Sequence, residues 1–240
     1  MKRMTAICVL STLLTSQACS AGVTNTQVLP PKGQEMNVSE ANTGRELQTV
    51  PVDGTSIKNT KGLIVLSDQY GKNDFIRFYN DDGSLWYEFS FYYEQIGDRT
   101  FPENENFRAF AFHRDYFVLA LKCVGEDKNR YEVVVNEDTG LKKFVKKSDA
   151  TLKFQTLDEH ITKAFAIKFD RVKNPLLEAP NGKVRNVDLS PELTFHPVEV
   201  RGEWLKVRWD SSKDPKEQVL SGWVRWRDND QILVELFYFA

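Results

Sequence analysis

Short apolar segments separated by polar turns recur from residue 62 onward, and this pattern predicts β-strands joined by tight turns. The clearest turn contains Asp82 and Gly83, a dipeptide that favours hairpin loops. Three hairpins are predicted in succession, and they pair 74–79 with 85–93, 107–112 with 116–121, and 131–135 with 141–147. Hairpins that follow one another in this way predict an antiparallel β-meander.

One segment has the spacing of a helix. Thr156 and Glu159 match the capping-box pattern, in which each side chain bonds the backbone N–H of the other residue. Apolar residues then recur four and eight positions after Leu157, on one helical face. The pattern predicts a helix from residue 157 to about residue 163, which closes one β unit and leads into the next.

The predicted fold class is mainly β: two small β-barrel or meander units with one short helix between them. A chain of 240 residues is long enough for two small domains, each with its own core. We place the first, β-rich unit at 62–168 and the second at 169–240. Residues 22–61 have isolated apolar positions among Thr, Asn, Gln, Pro and Gly, which predicts a flexible linker.

The N-terminal residues have the features of an export signal. Two basic residues precede an apolar run, 7–14, that is too short to span a bilayer. The signal is predicted to cover residues 1–21, with cleavage after residue 18 or residue 21. In the alternative, Cys19 is the lipidated cysteine of a bacterial lipoprotein, which would attach the protein to a membrane. Both routes predict an exported protein of the periplasm or cell envelope.

Charge argues against one large class of partner. The chain has 32 Lys and Arg residues against 34 Asp and Glu residues, a net charge of −2, and loss of the signal would remove two more positive charges. A protein that binds nucleic acid needs a basic surface to neutralise phosphates. We therefore expect no nucleic acid among the partners, which leaves a peptide, a cell-wall fragment or another exported protein.

Residue types that carry catalysis occur without the spacing that catalysis needs. Cys123 lies in an apolar run that predicts a strand, whereas the nucleophile of Cys-His peptidases opens a helix, whose dipole stabilises the thiolate. We expect Cys123 to be a buried thiol; a disulfide with Cys19 is the alternative if Cys19 is retained and not lipidated. His113, His160 and His196 lie far apart and lack metal-ligand spacing. No catalytic residue, metal or cofactor is predicted.

Two short segments near the C-terminal end combine tryptophan with basic residues. They are GEWLKVRW at 202–209 and GWVRW at 222–226. Because side chains alternate between the two sides of a strand, Leu205, Val207 and Trp209 share the core side of the first segment. The other side is the candidate ligand surface, which comprises Trp204, Lys206 and Arg208 of the first segment and Trp223 and Arg225 of the second. In the alternative, Trp204 packs under the loop 189–195.

These segments, together with PLLEAPNG at 175–182, resemble bacterial SH3 domains, which are common in exported and wall-associated proteins. The resemblance covers 174–239 and implies a small barrel in which PLLEAPNG forms the opening strand and turn. It also implies a module that binds peptides or glycans or that targets a protein. The segment 131–149 can be laid against 204–228, so the first unit is a candidate second SH3-like barrel.

The function predicted from these features is that of an exported, non-enzymatic binding module of the cell envelope. It would recognise a peptide, a wall fragment or a protein through aromatic and basic side chains. The alternative is a structural or inhibitory protein that holds another exported protein, for instance along an edge strand. A cell-wall hydrolase is the third interpretation, because bacterial SH3 domains often accompany wall peptidases.

Overall fold

Strands dominate the described part of the chain, which comprises residues 54–92, 103–186, 193–210 and 220–240 of a computed structural model. In chain order the strands are β1 (Thr55–Ser56), β2 (Gly62–Leu66), β3 (Ile76–Tyr79), β4 (Leu85–Phe89), β5 (Ala111–His113), β6 (Val118–Glu126), β7 (Arg130–Asn136), β8 (Leu141–Lys146), β9 (Leu152–Gln155), β10 (Ala166–Lys168), β11 (His196–Arg201), β12 (Trp204–Trp209), β13 (Leu220–Arg225), β14 (Arg227–Asp228), β15 (Gln231–Ile232) and β16 (Glu235–Phe237). A 3-10 turn, Arg114–Tyr116, joins β5 to β6, and an α-helix, α1 (Leu157–Thr162), follows β9. The predicted fold class, mainly β with one short helix, is confirmed for these residues.

The three predicted hairpins are confirmed. β3 pairs with β4, β5 with β6, and β7 with β8, all in the antiparallel direction. Gly83 in the first turn has a φ of +84°, a backbone conformation that glycine adopts without steric cost. The hairpins do not follow one another across the sheet, however. Seven strands of this eight-stranded sheet lie in the order β4-β3-β8-β7-β6-β2-β9, and β5 pairs with β6 off this path. The simple meander is therefore wrong: β3 lies beside β8, and β2 lies between β6 and β9.

The central place of β2 follows from its sequence. GLIVL is apolar at successive positions, which is the pattern of a strand buried on both faces. Leu63 joins a core that includes Leu205 of β12, whereas Ile64 points to the other side, into an aromatic-rich cluster with Phe78. Residues on both sides of residue 168 therefore share one core, and the division into two domains stays a prediction.

Smaller sheets hold the C-terminal part of the chain. β11, β12 and β13 form a three-stranded antiparallel sheet, β10 pairs with β16, and β15 lies between β1 and β14. The eight-stranded sheet ends at β4 and β9, and the three-stranded sheet ends at β11 and β13. Because the two edges of each sheet do not pair with each other, the described strands form open sheets and not the closed barrels predicted from the sequence.

The predicted linker, 22–61, is described only from residue 54, and its last residues belong to the fold. Thr55 of β1 pairs with β15. Ile57 is buried, and its backbone N–H donates to the carbonyl of Asp230 over 2.6 Å. A strand of two residues is too short to show a period in the sequence, which is why this end of the segment was predicted to be linker.

The export signal cannot be compared with the fold, because residues 1–21, including Cys19, lie outside the described residues. Export and lipidation therefore stay predictions. In the ranges that the structure describes, no helix is long and apolar enough to cross a membrane.

Helix α1 begins with the predicted capping box. Thr156 Oγ1 accepts the N–H of Glu159 over 3.2 Å, and Glu159 Oε2 accepts the N–H of Thr156 over 2.9 Å. The buried face of the helix carries His160 and Ile161, and Ile161 packs into the core that contains Leu63. The helix thus lies against the core that the large sheet shares with the C-terminal strands.

Candidate functional site

The predicted ligand surface lies on one face of the β11-β12-β13 sheet. Directly opposite residues of paired antiparallel strands point to the same face. Trp204 of β12 is opposite Arg225 of β13, and Lys206 is opposite Trp223. Arg208 follows Lys206 by two positions and shares its side of the strand. The structure therefore brings the five predicted residues together, and we call their side of the sheet the basic face.

The opposite side of β12 belongs to the core, as predicted. Leu205 and Val207 are 0% exposed and Trp209 is 1% exposed. All three join the core cluster that contains Leu63 of the large sheet. The basic face consequently stands on a close-packed layer, which holds its backbone in place without a ligand.

Trp223 does not offer the open aromatic surface that strand alternation predicts. It is only 6% exposed. Leu177 lies beside it, and the two residues exchange backbone hydrogen bonds of 2.7 and 2.8 Å. The Arg201 guanidinium lies 4.8 Å from the ring centroid. The prediction that Trp223 faces solvent is wrong: Leu177 pairs beside it at the edge of β13, and the Arg201 guanidinium lies over its ring on the same face as Lys206.

Arg225 is already occupied within the protein. Its Nη2 lies 2.6 Å from Glu203 Oε2 and 3.1 Å from Asp228 Oδ1. The hydrogen bond from Arg225 holds the pKa of Glu203 below its usual range. An anionic ligand would have to compete with these carboxylates, so Arg225 contributes less to the basic face than its charge suggests.

Trp204, Lys206 and Arg208 form a row along β12. Trp204 and Lys206 are half-buried, and Arg208 is exposed. Among the described residues, neither cation makes a hydrogen bond or an ion pair, and the Trp204 indole N–H has no acceptor. The loop 189–195, the alternative cover for Trp204, is described only from residue 193. The row can therefore present two positive charges and an indole to a ligand.

A second feature, which the sequence did not indicate, is a cleft of about 630 Å³ beside β5. We call it the polar cleft, and Glu137, His113, Phe107 and Tyr87 are among its lining residues. One carboxylate oxygen of Glu137 pairs with Lys122, while Oε1 is buried and has no hydrogen-bond partner among the described residues. Burial raises the pKa of Glu137. Among the described residues, the lining contains an acid, Glu137, but no cysteine or serine.

A third feature is an apolar groove of about 750 Å³ between β10, β16 and the chain that enters β11. We call it the apolar groove. Five phenylalanine side chains line it, namely Phe165, Phe169, Phe195, Phe237 and Phe239. These residues come from three distant parts of the sequence, so no local pattern predicts that they meet. The one local signal is that two of these parts contain two phenylalanines each, Phe165 with Phe169 and Phe237 with Phe239.

Cys123 and His160 occupy buried positions in the fold. Cys123 is a free thiol, 0% exposed, on β6, which confirms the predicted buried thiol. Burial raises its pKa, the opposite of what a nucleophilic thiolate needs. His160 Nδ1 lies 3.1 Å from the side-chain oxygen of Gln155, and Nε2 lies 3.1 Å from the Tyr238 hydroxyl. In the described residues, no three His, Cys, Asp or Glu side chains are grouped to hold a metal ion.

No protein-family model, curated protein or solved structure matches this chain. The resemblance to bacterial SH3 domains consequently rests on the quoted residues of the C-terminal segment alone. Any functional conclusion has to come from the sites themselves.

Proposed function

We propose that the protein is an exported, non-enzymatic binding protein of the cell envelope, which holds a peptide, a wall fragment or another exported protein by the basic face. One observation carries the proposal: Lys206 and Arg208 lie beside Trp204 on one strand, and neither has an ion-pair partner among the described residues. An anionic group on the ligand would supply that partner. Carboxylates of peptides and of wall fragments are groups of this kind.

Basic side chains on the neighbouring strands form ion pairs, whereas Lys206 and Arg208 form none among the described residues. On β11 the Arg201 Nε lies 2.6 Å from Glu199, and on β13 Arg225 bonds to Glu203. The chain as a whole carries a net charge of −2. Lys206 and Arg208 make no ion pair within the described residues, although Glu199 lies directly opposite Lys206 on β11. Their charges therefore favour an anionic ligand, chiefly at Arg208.

Trp204 adds the contact that charge alone does not give. A half-buried indole offers a broad apolar surface and one N–H donor, and tryptophan and arginine are the residues most often found at the energetic centres of binding surfaces. On the other side of β12, Leu205, Val207 and Trp209 pack in the core and hold the backbone of this row in place. The row is therefore preorganised, which lowers the entropic cost of binding.

The proposal contains no catalytic step. Cys123 is buried in a strand, and its thiol pKa is raised. The polar cleft contains an acid, Glu137, and its described lining residues include no cysteine or serine. Export rests on the N-terminal residues, which have a basic start and a short apolar run.

Sedimentation with isolated peptidoglycan tests this proposal. We expect the purified protein to sediment with the wall and to release no soluble fragments. Trp204→Ala should weaken binding by about 2 kcal/mol, the loss typical of a central tryptophan, with little change in the thermal unfolding midpoint. Phe154→Ala is the matched control, because Phe154 is a partly exposed aromatic residue on β9 of the other sheet, and it should bind as the parent does.

Two outcomes would contradict the proposal. Release of wall fragments by the pure protein would show a hydrolase. Absence of sedimentation, together with a stable exported protein partner, would favour the structural or inhibitory protein. One observation supports that second candidate: β4 is an edge of the eight-stranded sheet among the described strands, and Leu85 at its start is 50% exposed.

A further inference from the structure

The apolar groove has the size and lining of a small-molecule site. Its volume of about 750 Å³ lies within the roughly 300–1,000 Å³ usual for such sites. Its lining is dominated by aromatic and aliphatic side chains, with Thr194 as the uncharged polar exception. A ligand that fills it must therefore be mostly apolar, because few groups in the groove could satisfy polar atoms of a ligand.

The buried part of the groove is rigid. Phe169 and Phe195 are both buried, with ring centroids 4.9 Å apart, and the Phe195 ring lies 5.5 Å from that of Trp209 in the core. Ile167 of β10 donates its N–H to the carbonyl of Phe195 over 2.8 Å, and it pairs with Leu236 of β16. The elements that form the groove are hydrogen-bonded to each other, so the groove is formed before a ligand arrives.

The exposed part of the groove leaves apolar surface in contact with water. Phe165 is 41% exposed, and its ring packs on His196 at a centroid distance of 5.3 Å. An exposed phenylalanine next to a concave apolar surface extends that surface toward solvent. A ligand that entered the groove could also cover Phe165.

Charge selects the kind of apolar ligand. Among the described residues that line the groove, the charged side chains are those of Lys168 and Arg171, and both are basic. Lys168 is exposed, and the Arg171 guanidinium lies 5.2 Å from the centroid of the Phe195 ring. A ligand with an alkyl chain and an acidic head matches both features, because its chain meets the phenylalanines and its head meets the cations.

We propose that the apolar groove binds a free fatty acid, with its alkyl chain among the phenylalanine side chains and its carboxylate beside Lys168 and Arg171. One chain with one acidic head suits a groove of this volume with two basic side chains. Binding here is separate from the function proposed for the basic face, since none of Trp204, Lys206 and Arg208 lines the groove.

Titration calorimetry with dodecanoate, at concentrations below those that form micelles, tests this proposal. We expect one dodecanoate to bind per chain. Decanoate should bind about tenfold more weakly, because it buries two fewer methylene groups. Dodecylamine, with the same chain and the opposite charge, should bind at least about tenfold more weakly than dodecanoate, since the carboxylate contact would become a repulsion.

Two variants with matched controls locate the site. Lys168→Glu should weaken dodecanoate binding at least about tenfold, whereas Lys183→Glu, an exposed lysine outside the groove, should not. Phe165→Ser should weaken it by a similar factor, whereas Val184→Ser, at another exposed apolar residue, should not. Near-UV circular dichroism checks that each variant is folded. If Phe165→Ser changes the spectrum, the test rests on dodecanoate binding by Lys168→Glu alone. Arg208→Glu should leave dodecanoate binding intact.

Several outcomes would overturn the proposal. They are no binding of dodecanoate, equal binding of dodecanoate and dodecylamine, and binding that survives Lys168→Glu. Sedimentation with phosphatidylglycerol vesicles that Lys168→Glu abolishes, without any binding of dodecanoate, would also overturn it and would assign the groove to a membrane surface.

Discussion

The side chains of the basic face differ in the contacts that they already make within the protein. These contacts determine which side chains are available to bind a ligand. Arg225 bonds to two carboxylates, and the Arg201 guanidinium lies over the ring of Trp223. Arg208 is exposed and has no ion-pair partner among the described residues. A ligand that pairs with Arg208 breaks no existing bond, whereas one that pairs with Arg225 must displace Glu203 or Asp228. Arg208 is therefore the cation whose charge matters most for binding.

At the same scale, His160 links protonation to stability. Its ring lies between Gln155 and Tyr238, and burial lowers its pKa from 6.5 to about 4. The neutral ring can donate to the Gln155 oxygen and accept from the Tyr238 hydroxyl, whereas protonation would reverse the second bond and leave a buried positive charge. His160 therefore binds a proton less readily in the folded protein than in the unfolded chain.

We predict that His160 destabilises the protein as the pH falls. Because the pKa of His160 is lower in the folded state, its contribution to stability is complete above pH 6.5 and is lost progressively between pH 6.5 and about 4. At pH 5 the loss should be about 2 kcal/mol relative to pH 7.5. Urea unfolding at both pH values measures it, with His160→Gln as the control that removes the titrating group. Equal pH dependence in the parent and the variant would show that His160 is not buried as described.

At the scale of elements, local signals account for the hairpins and the helix. The Asp82-Gly83 turn and the Thr156-Glu159 capping box each concern residues a few positions apart, and the structure contains both. No short stretch of the sequence indicates that Leu177 pairs with Trp223 or that β10 pairs with β16. The basic face could therefore be predicted from strand alternation, but the burial of Trp223 and the apolar groove could not.

The capping box provides a test at this scale. Thr156→Ala removes the acceptor for the N–H of Glu159, and it should lower the free energy of unfolding by about 1 kcal/mol. Thr156→Ser keeps the hydroxyl, so its free energy of unfolding should differ from that of the parent by no more than about 0.3 kcal/mol. Chemical denaturation compares the three proteins. An alanine variant as stable as the parent would mean that the capping bonds contribute nothing to stability.

At the scale of the whole molecule, the basic face and the apolar groove pack against the same core. Trp209 of β12 lies behind the basic face, and its ring also packs on Phe195 of the groove. The same core contains Leu63 of the large sheet. Substitutions in this core would disturb both sites at once, so only variants of exposed side chains can separate one site from the other.

The central claim is that an anionic envelope ligand binds at Arg208, and wall sedimentation of Arg208→Glu tests it most directly. Lys128→Glu is the matched control, because Lys128 is an exposed lysine in the turn between β6 and β7 and has no ion-pair partner among the described residues. Both variants change the net charge equally. We predict that Arg208→Glu binds the wall at least about tenfold more weakly than Lys128→Glu. Equal binding by the two variants would contradict the account.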